Sequence, residues 1–362
     1  MLYLFVFFTV FCVLSLNEKI RISLNSNTLV LNRCLKVFAL ICLAIFAGGR
    51  DLSVGTDVRV YAVYQFFLNS SFNSIVDFWD NHVLEIGYEF ENYLVSRFTA
   101  NIHWVLFLNA FTMMLGVFYG ASFWAKKINI PFSSIIFFFL LTGCFNTSLN
   151  VIRQFMAVTT IFGFSKFFYE RRFIMSSIGI AIAFFFHSSA IIGFLIYLLF
   201  LKKKTKFIFI CFFLLLFVLP LIFSFFYNIN LISSRFIIYF LDHPPEQSEN
   251  IINLFKLVYF ILSIVFYLSA KSDLSILFLK FSFVNFVLGS LQFLFGALAR
   301  LSIYFEIFDV VFLVLFIERF FVHKTNKRFL WIVVTVFYSI AFYVRYVLNN
   351  GSETFPYIWN WG

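Results

Sequence analysis

The residues best suited to chemistry are polar groups set into apolar surroundings. Asn146-Thr147-Ser148-Leu149-Asn150-Val151-Ile152-Arg153-Gln154 leads into an otherwise apolar run, and Asn146, Asn150 and Arg153 stand at i, i+4 and i+7. On a helix they share one face. A guanidinium at membrane depth is costly unless it faces a cavity or the bundle interior. The run therefore reads either as an anion-binding site or as a polar clamp between helices. His187, in Phe184-Phe185-Phe186-His187-Ser188-Ser189-Ala190, has an ordinary pKa of about 6.5 and suits a general base or a hydrogen bond to phosphate. A satisfied structural histidine is the alternative. Arg300 and Tyr304 lie four residues apart on one helical face, with Glu306 and Asp309 deeper in the same run. Glu306 falls roughly opposite Arg300, so both acids are expected to answer other helices rather than to act on substrate.

These groups must be positioned by membrane helices. Of 362 residues 62% are apolar and 12% charged, against roughly 45–50% and about 25% in soluble domains. A net charge of +10 has no basic, aromatic-interleaved soluble domain to carry it, so nucleic acid is not an expected partner. The composition predicts one all-α integral membrane domain, residues 1–362, forming a polytopic bundle of about twelve spans. They fall near 1–16, 31–48, 98–123, 131–145, 151–169, 173–186, 188–201, 207–227, 251–270, 274–299, 301–320 and 329–348. The two beside His187 are short or re-entrant. Long extracytoplasmic loops are expected at 49–97 and 228–250, where binding elements tend to lie. Residues 1–16 lack a basic start and a small-residue cleavage site, and are read as a span rather than a signal peptide. The five cysteines show no metal or disulfide spacing. The 61 phenylalanines are explained by gene base composition as readily as by function.

Counting Lys and Arg in alternate connections orients the spans. One side holds eighteen, twelve of them lysine. The other holds Arg50, Arg59, Arg97, Arg153, Arg235, Lys256, Arg300 and Arg345. The richer side is cytoplasmic, which places both termini in the periplasm. The outer set is nearly all arginine, and guanidinium grips phosphate bidentately, so a lipid-linked phosphate or pyrophosphate is the expected ligand. Helix-end anchoring, or pairing with Asp51, Asp57, Glu89 and Glu91, is the plainer reading of any single arginine. There is no Walker loop, no His-Glu-x-x-His and no Gly-x-Ser-x-Gly elbow. Donor activation is expected to come from the substrate, with no cofactor, nucleotide or protein-bound metal.

Four ordered motifs remain: Arg50-Asp51 with Val54-Gly55-Thr56-Asp57 and Tyr61; Asn150-Val151-Ile152-Arg153-Gln154 with Ala157; His187-Ser188-Ser189-Ala190; and Arg300-Leu301-Ser302 with Tyr304-Phe305. Their order and spacing, over about residues 48–310, resemble those of the EpsG-like, Wzy-type polysaccharide (O-antigen) polymerases. The second outer loop offers no motif that aligns. The resemblance implies a glycosyltransferase of the bacterial inner membrane, with its site facing the periplasm. It would join undecaprenyl-pyrophosphate-linked oligosaccharide repeat units, moving the growing chain to the non-reducing end of a new unit. It implies that Arg50, Arg153 and Arg300 hold pyrophosphate, that His187 or Asp57 takes the acceptor proton, and that Asn150, Gln154 and Tyr304 orient them. Expected partners are the lipid-linked units and membrane lipids, with a chain-length regulator and a flippase as further candidates. The rival readings are a flippase of lipid-linked oligosaccharide, an O-antigen ligase and a membrane acyltransferase built around His187.

Overall fold

The computed structural model describes residues 2–21, 26–201, 247–291, 297–320 and 324–361. The expected span at 207–227 and most of the expected loop at 228–250 lie outside the described residues. Sixteen α-helices are described: α1 Leu2–Arg21, α2 Ser26–Gly48, α3 Val63–Ser71, α4 Ile75–Asn81, α5 Ile86–Ser96, α6 His103–Ile128, α7 Phe132–Leu141, α8 Cys144–Asn150, α9 Ile152–Gly163, α10 Ser165–Tyr169, α11 Phe173–Phe186, α12 Gly193–Phe200, α13 Gln247–Ala270, α14 Asp273–Ser290, α15 Ala297–Phe320 and α16 Lys324–Phe342. A π-helical turn, Val58–Ala62, runs into α3, and another, Tyr343–Leu348, extends α16. Among the described residues the one extended pairing is an isolated bridge between Arg50 and Trp359.

Helix ends follow local chemistry. Asn129 takes a left-handed φ of 53° to close α6, as Asn often does at a helix C-terminus. Pro131, which has no N–H to lose, precedes α7. The Ser272 and Ser275 side chains form a reciprocal capping box that opens α14. Helix α6 packs on α2 and α9, while α14 packs on α13 and α15. Gly116 and Gly120, four apart on α6, let α9 close in: a Cβ on Gly116 would stand 2.4 Å from the Thr159 carbonyl oxygen. Small residues at such spacing are how membrane helices approach without a hydrophobic drive between them. Elsewhere aromatic rings fill the interior, as where Phe281 and Phe308 lie 4.5 Å apart. Apolar side chains also face outward along the helices, Phe5, Ile174 and Phe329 among them, the surface that lipid covers.

By length and composition six described helices can cross a membrane, or seven if α7 and α8, bent by 56°, count as one. Two shorter apolar helices flank His187. Helix α15 carries Glu306 and Asp309 in its interior, and both acids are answered there. Lys256 pairs with Glu306 at 3.3 Å and donates to the Ser302 hydroxyl at 2.6 Å. Ser282 and Asn285 each donate to Asp309 at 2.6 Å. Lys256 therefore belongs to the core of α13, not to the outer connections where the charge count put it. The stretch 49–97, expected as a loop, folds into α3, α4 and α5, whose aromatic faces pack on one another: Phe78 lies 5.0 Å from Tyr93 and 6.3 Å from Phe72. The two chain ends meet, with the Tyr3 hydroxyl donating to the Thr354 carbonyl at 2.8 Å.

Candidate functional site

The stretch leaving α2 is pinned by its first residues. Arg50 is 2% exposed, and its guanidinium donates to the Ala47 carbonyl at 2.7 Å and the Leu149 carbonyl at 3.3 Å. It thus ties the end of α2 to the end of α8. The Asp51 N–H donates to Ile358 and the Asn360 N–H to Gly49, both at 2.8 Å. Asn360 and Ser53 also donate to the Asp51 carboxylate and hold its pKa down to about 2. Gly55, at φ +96°, lets the chain pass over Leu149, where a Cβ would stand 2.6 Å from the carbonyl oxygen.

The next two residues grip the break between α8 and α9. Val151 is non-helical, at φ −99° and ψ 68°. On one side of it the Asn150 Oδ1 accepts the Thr56 N–H at 2.8 Å; on the other, Asp57 Oδ2 accepts the Ile152 N–H at 2.9 Å and the Tyr61 hydroxyl at 2.5 Å. The first N–H groups of a helix have no internal partner, and Asp57 supplies one. Burial pushes the Asp57 carboxyl above its ordinary range, opposed by those donors and by Arg153.

Arg153 enters on the first turn of α9. It pairs with Glu85, and its guanidinium carbon lies 4.5 Å from the Tyr61 ring centroid, a cation–π contact. Glu85 is held from behind: the Leu84 and Val83 N–H groups both donate to the buried Glu89 carboxylate, at 2.5 and 3.1 Å. The outer oxygen of Glu85 faces the turn after α11, accepting a long 3.4 Å hydrogen bond from the Ser188 N–H.

At that turn His187 Nδ1 accepts the Ser189 N–H at 3.1 Å and lies 2.7 Å from the Ser189 hydroxyl, itself 3.0 Å from the Tyr304 hydroxyl. A backbone N–H can only donate, so Nδ1 is the acceptor and the neutral ring carries its proton on Nε2. Burial lowers the His187 pKa to about 4, with Arg153 and Arg300 acting in the same sense against Glu85. Around neutral pH the ring is therefore an uncharged donor. Arg300 is exposed, near enough to Asp57, Tyr61 and Arg153 to feel their charge, and its backbone carbonyl accepts the Gln154 amide at 2.7 Å.

Arg50, Asp57, Asn150, Arg153, Gln154, His187, Arg300 and Tyr304 thus fall in one neighbourhood at one end of the bundle, whereas Lys256, Glu306 and Asp309 lie apart in the bundle core and Arg235 lies outside the described residues. Asp57, Glu85, Arg153 and Arg300 form a charged cluster beside the neutral His187; Asn150, Gln154 and Tyr304 brace it; Arg50 lies buried beneath. Two guanidiniums and an imidazole N–H can hold an anion there, beside carboxylates that can accept a proton. The sequence model of the EpsG family matches residues 33–359, a stretch that contains this whole cluster. The chain belongs to the EpsG family. No curated protein and no solved structure matches it.

Two features of this EpsG-family chain escaped the sequence reading. Glu85 is one acid among several in an aromatic stretch, and only the fold turns it toward Arg153. The C-terminal segment is part of the site: Glu353 pairs with Arg59, the Gly55 N–H donates to the Glu353 carbonyl at 2.9 Å, and the Asn146 amide donates to the Thr354 hydroxyl at 2.9 Å. Tyr357 stacks on Phe46 with centroids 4.2 Å apart. A separate cavity of about 50 Å³, lined by Lys256, Asn285, Glu306, Asp309 and Arg345, holds room for about one or two waters. It is too small for a sugar, and its acids are answered by neighbouring side chains. The Arg153 cluster is accordingly the candidate site.

Proposed function

We propose that this EpsG-family chain is a polysaccharide polymerase of the bacterial inner membrane that joins undecaprenyl-pyrophosphate-linked oligosaccharide repeat units at the periplasmic face. The observation that carries the reading is the meeting of Arg153 and Arg300 with His187, Glu85 and Asp57 at the bundle end where both chain termini lie. The charge count along the sequence favours the periplasm for that end.

In this reading a hydroxyl at the non-reducing end of a new unit attacks the anomeric carbon of the growing chain. The bond from that carbon to the pyrophosphate oxygen breaks, and undecaprenyl pyrophosphate leaves. Arg153 and Arg300 neutralise the departing charge, and the His187 Nε2–H donates to it. Fixed donors of this kind act where charge develops in the transition state. Arg50 and Asp57 hold the preceding segment against α8 and α9, so that Arg153 stays aimed. Exposed aromatic groups of the folded outer segment, Tyr64 and Trp79, offer faces on which sugars stack. A chain-length regulator and a flippase are the partners this reaction calls for.

The test is the surface polysaccharide of a strain lacking the gene. A polymerase defect leaves the lipid core capped with a single repeat unit. Loss of every repeat unit from the core would instead indicate a flippase or a ligase.

A further inference from the structure

We infer that Glu85 is the catalytic base of the transfer and that, before substrate enters, its carboxylate occupies Arg153 in place of the phosphate. The inference rests on the polymerase reading and supplies the proton acceptor which that reading lacks. The other two candidates are committed elsewhere. His187 uses Nδ1 to accept the Ser189 N–H and carries a proton on Nε2, so it has no basic nitrogen facing substrate. Asp57 is engaged by the Ile152 N–H and the Tyr61 hydroxyl, and moving it would unpin the start of α9.

Glu85 has neither restriction. Its side chain and that of Arg153 are both about one-fifth exposed, at 20% and 21%, so a ligand can reach the pair. Its partners are the Arg153 guanidinium on one oxygen and the long Ser188 hydrogen bond on the other. Its backbone is nevertheless fixed, because the turn before it is clamped by Glu89. A pyrophosphate brings more charge than a carboxylate and matches the guanidinium fork, so it displaces Glu85 from Arg153. The freed carboxylate then lies beside the His187–Ser188 turn, next to the bound donor. It takes the proton of the attacking hydroxyl as the oxygen–carbon bond forms, while the electron pair of the broken carbon–oxygen bond leaves on undecaprenyl pyrophosphate. One site thereby couples donor binding to release of the base.

The inference makes binding and turnover move in opposite directions. In lipid nanodiscs, Glu85→Gln is expected to bind undecaprenyl pyrophosphate about two- to fivefold more tightly than the unaltered chain, since a competing ion pair is gone. Its linkage formation from lipid-linked repeat units falls by about 10²–10⁴. Glu85→Asp, which keeps the carboxylate on a shorter stem, recovers part of the rate. Weaker binding together with lost turnover would make Glu85 a support for Arg153 and overturn the role as base, as would Glu85→Gln turning over at the normal rate. An unaltered chain that neither binds undecaprenyl pyrophosphate nor forms linkages would overturn the polymerase reading and this inference with it. An active unaltered chain beside an equally active Glu85→Gln overturns the inference alone.

Discussion

Glu85 and Arg153, 68 positions apart in the sequence, form an ion pair in which the carboxylate also accepts the Ser188 N–H. That pair joins three separate pieces of chain: the turn before α5, the first turn of α9 and the break after α11. The same guanidinium lies over Tyr61, whose hydroxyl holds Asp57.

Arg153 acts through a planar, stacked fork as well as through charge. Lysine keeps the charge but loses both the fork and the stacking on Tyr61. Arg153→Lys is expected to lower linkage formation by about 10²–10³, the range for removing one donor to a developing anion. Arg153→Ala is expected to fall further. Polymer ladders at matched protein levels check this, and full-length polymer from Arg153→Ala would exclude the assigned role.

Gly55 is required by its backbone. Alanine would meet the Leu149 carbonyl in a left-handed conformation, at a cost of about 1–3 kcal/mol. Relief of the clash lifts the Val54–Asp57 segment off α8 and α9, so Gly55→Ala lowers both the thermal midpoint and polymer length. A variant with an unchanged midpoint would show that the segment does not need this approach.

The C-terminal segment separates buried from exposed contacts. Thr354→Val leaves the Asn146 amide without its buried acceptor and is expected to destabilise by about 1–3 kcal/mol. Glu353→Gln breaks a half-exposed pair with Arg59 and is expected to change stability by less than about 1 kcal/mol. Unfolding measurements on the two variants check the order, and a larger effect from Glu353→Gln would reverse the assignment.

His187 gives stability a pH dependence of known sign. An unfolded chain protonates this ring near pH 6.5, whereas burial holds the folded value to about 4. The folded state therefore resists the proton, and stability declines as pH falls through that window. Glu91, raised to about 7 by burial, works in the opposite sense, favouring the folded state in acid and losing that contribution as pH rises. Comparing His187→Asn with the unaltered chain isolates the histidine. The variant is expected to lose less stability between pH 6.5 and pH 4, and identical slopes would contradict the buried, neutral assignment.

Much of this site was legible because its polar residues interrupt long apolar runs. Arg153, His187 and Arg300 stood out for the energetic penalty they incur there, and the fold brings them together. Helices α3 to α5 were not legible, because their apolar faces are too short to span a membrane and alternate with acids that look like loop. Glu85 carries no local mark, since what distinguishes it is a contact with a distant helix. The pairing of Tyr3 with Thr354, 351 positions away, is silent in the sequence for the same reason. Lys256 was misassigned to a connection because its partner Glu306 lies on another helix, which charge counting ignores.

The most direct test supplies the purified chain in nanodiscs with undecaprenyl-pyrophosphate-linked repeat units alone. A ladder of lengthened oligosaccharides is expected, with one undecaprenyl pyrophosphate released for each linkage formed and both lost in Arg153→Ala. Repeat units that remain single, with no release of undecaprenyl pyrophosphate, would rule out the polymerase assignment.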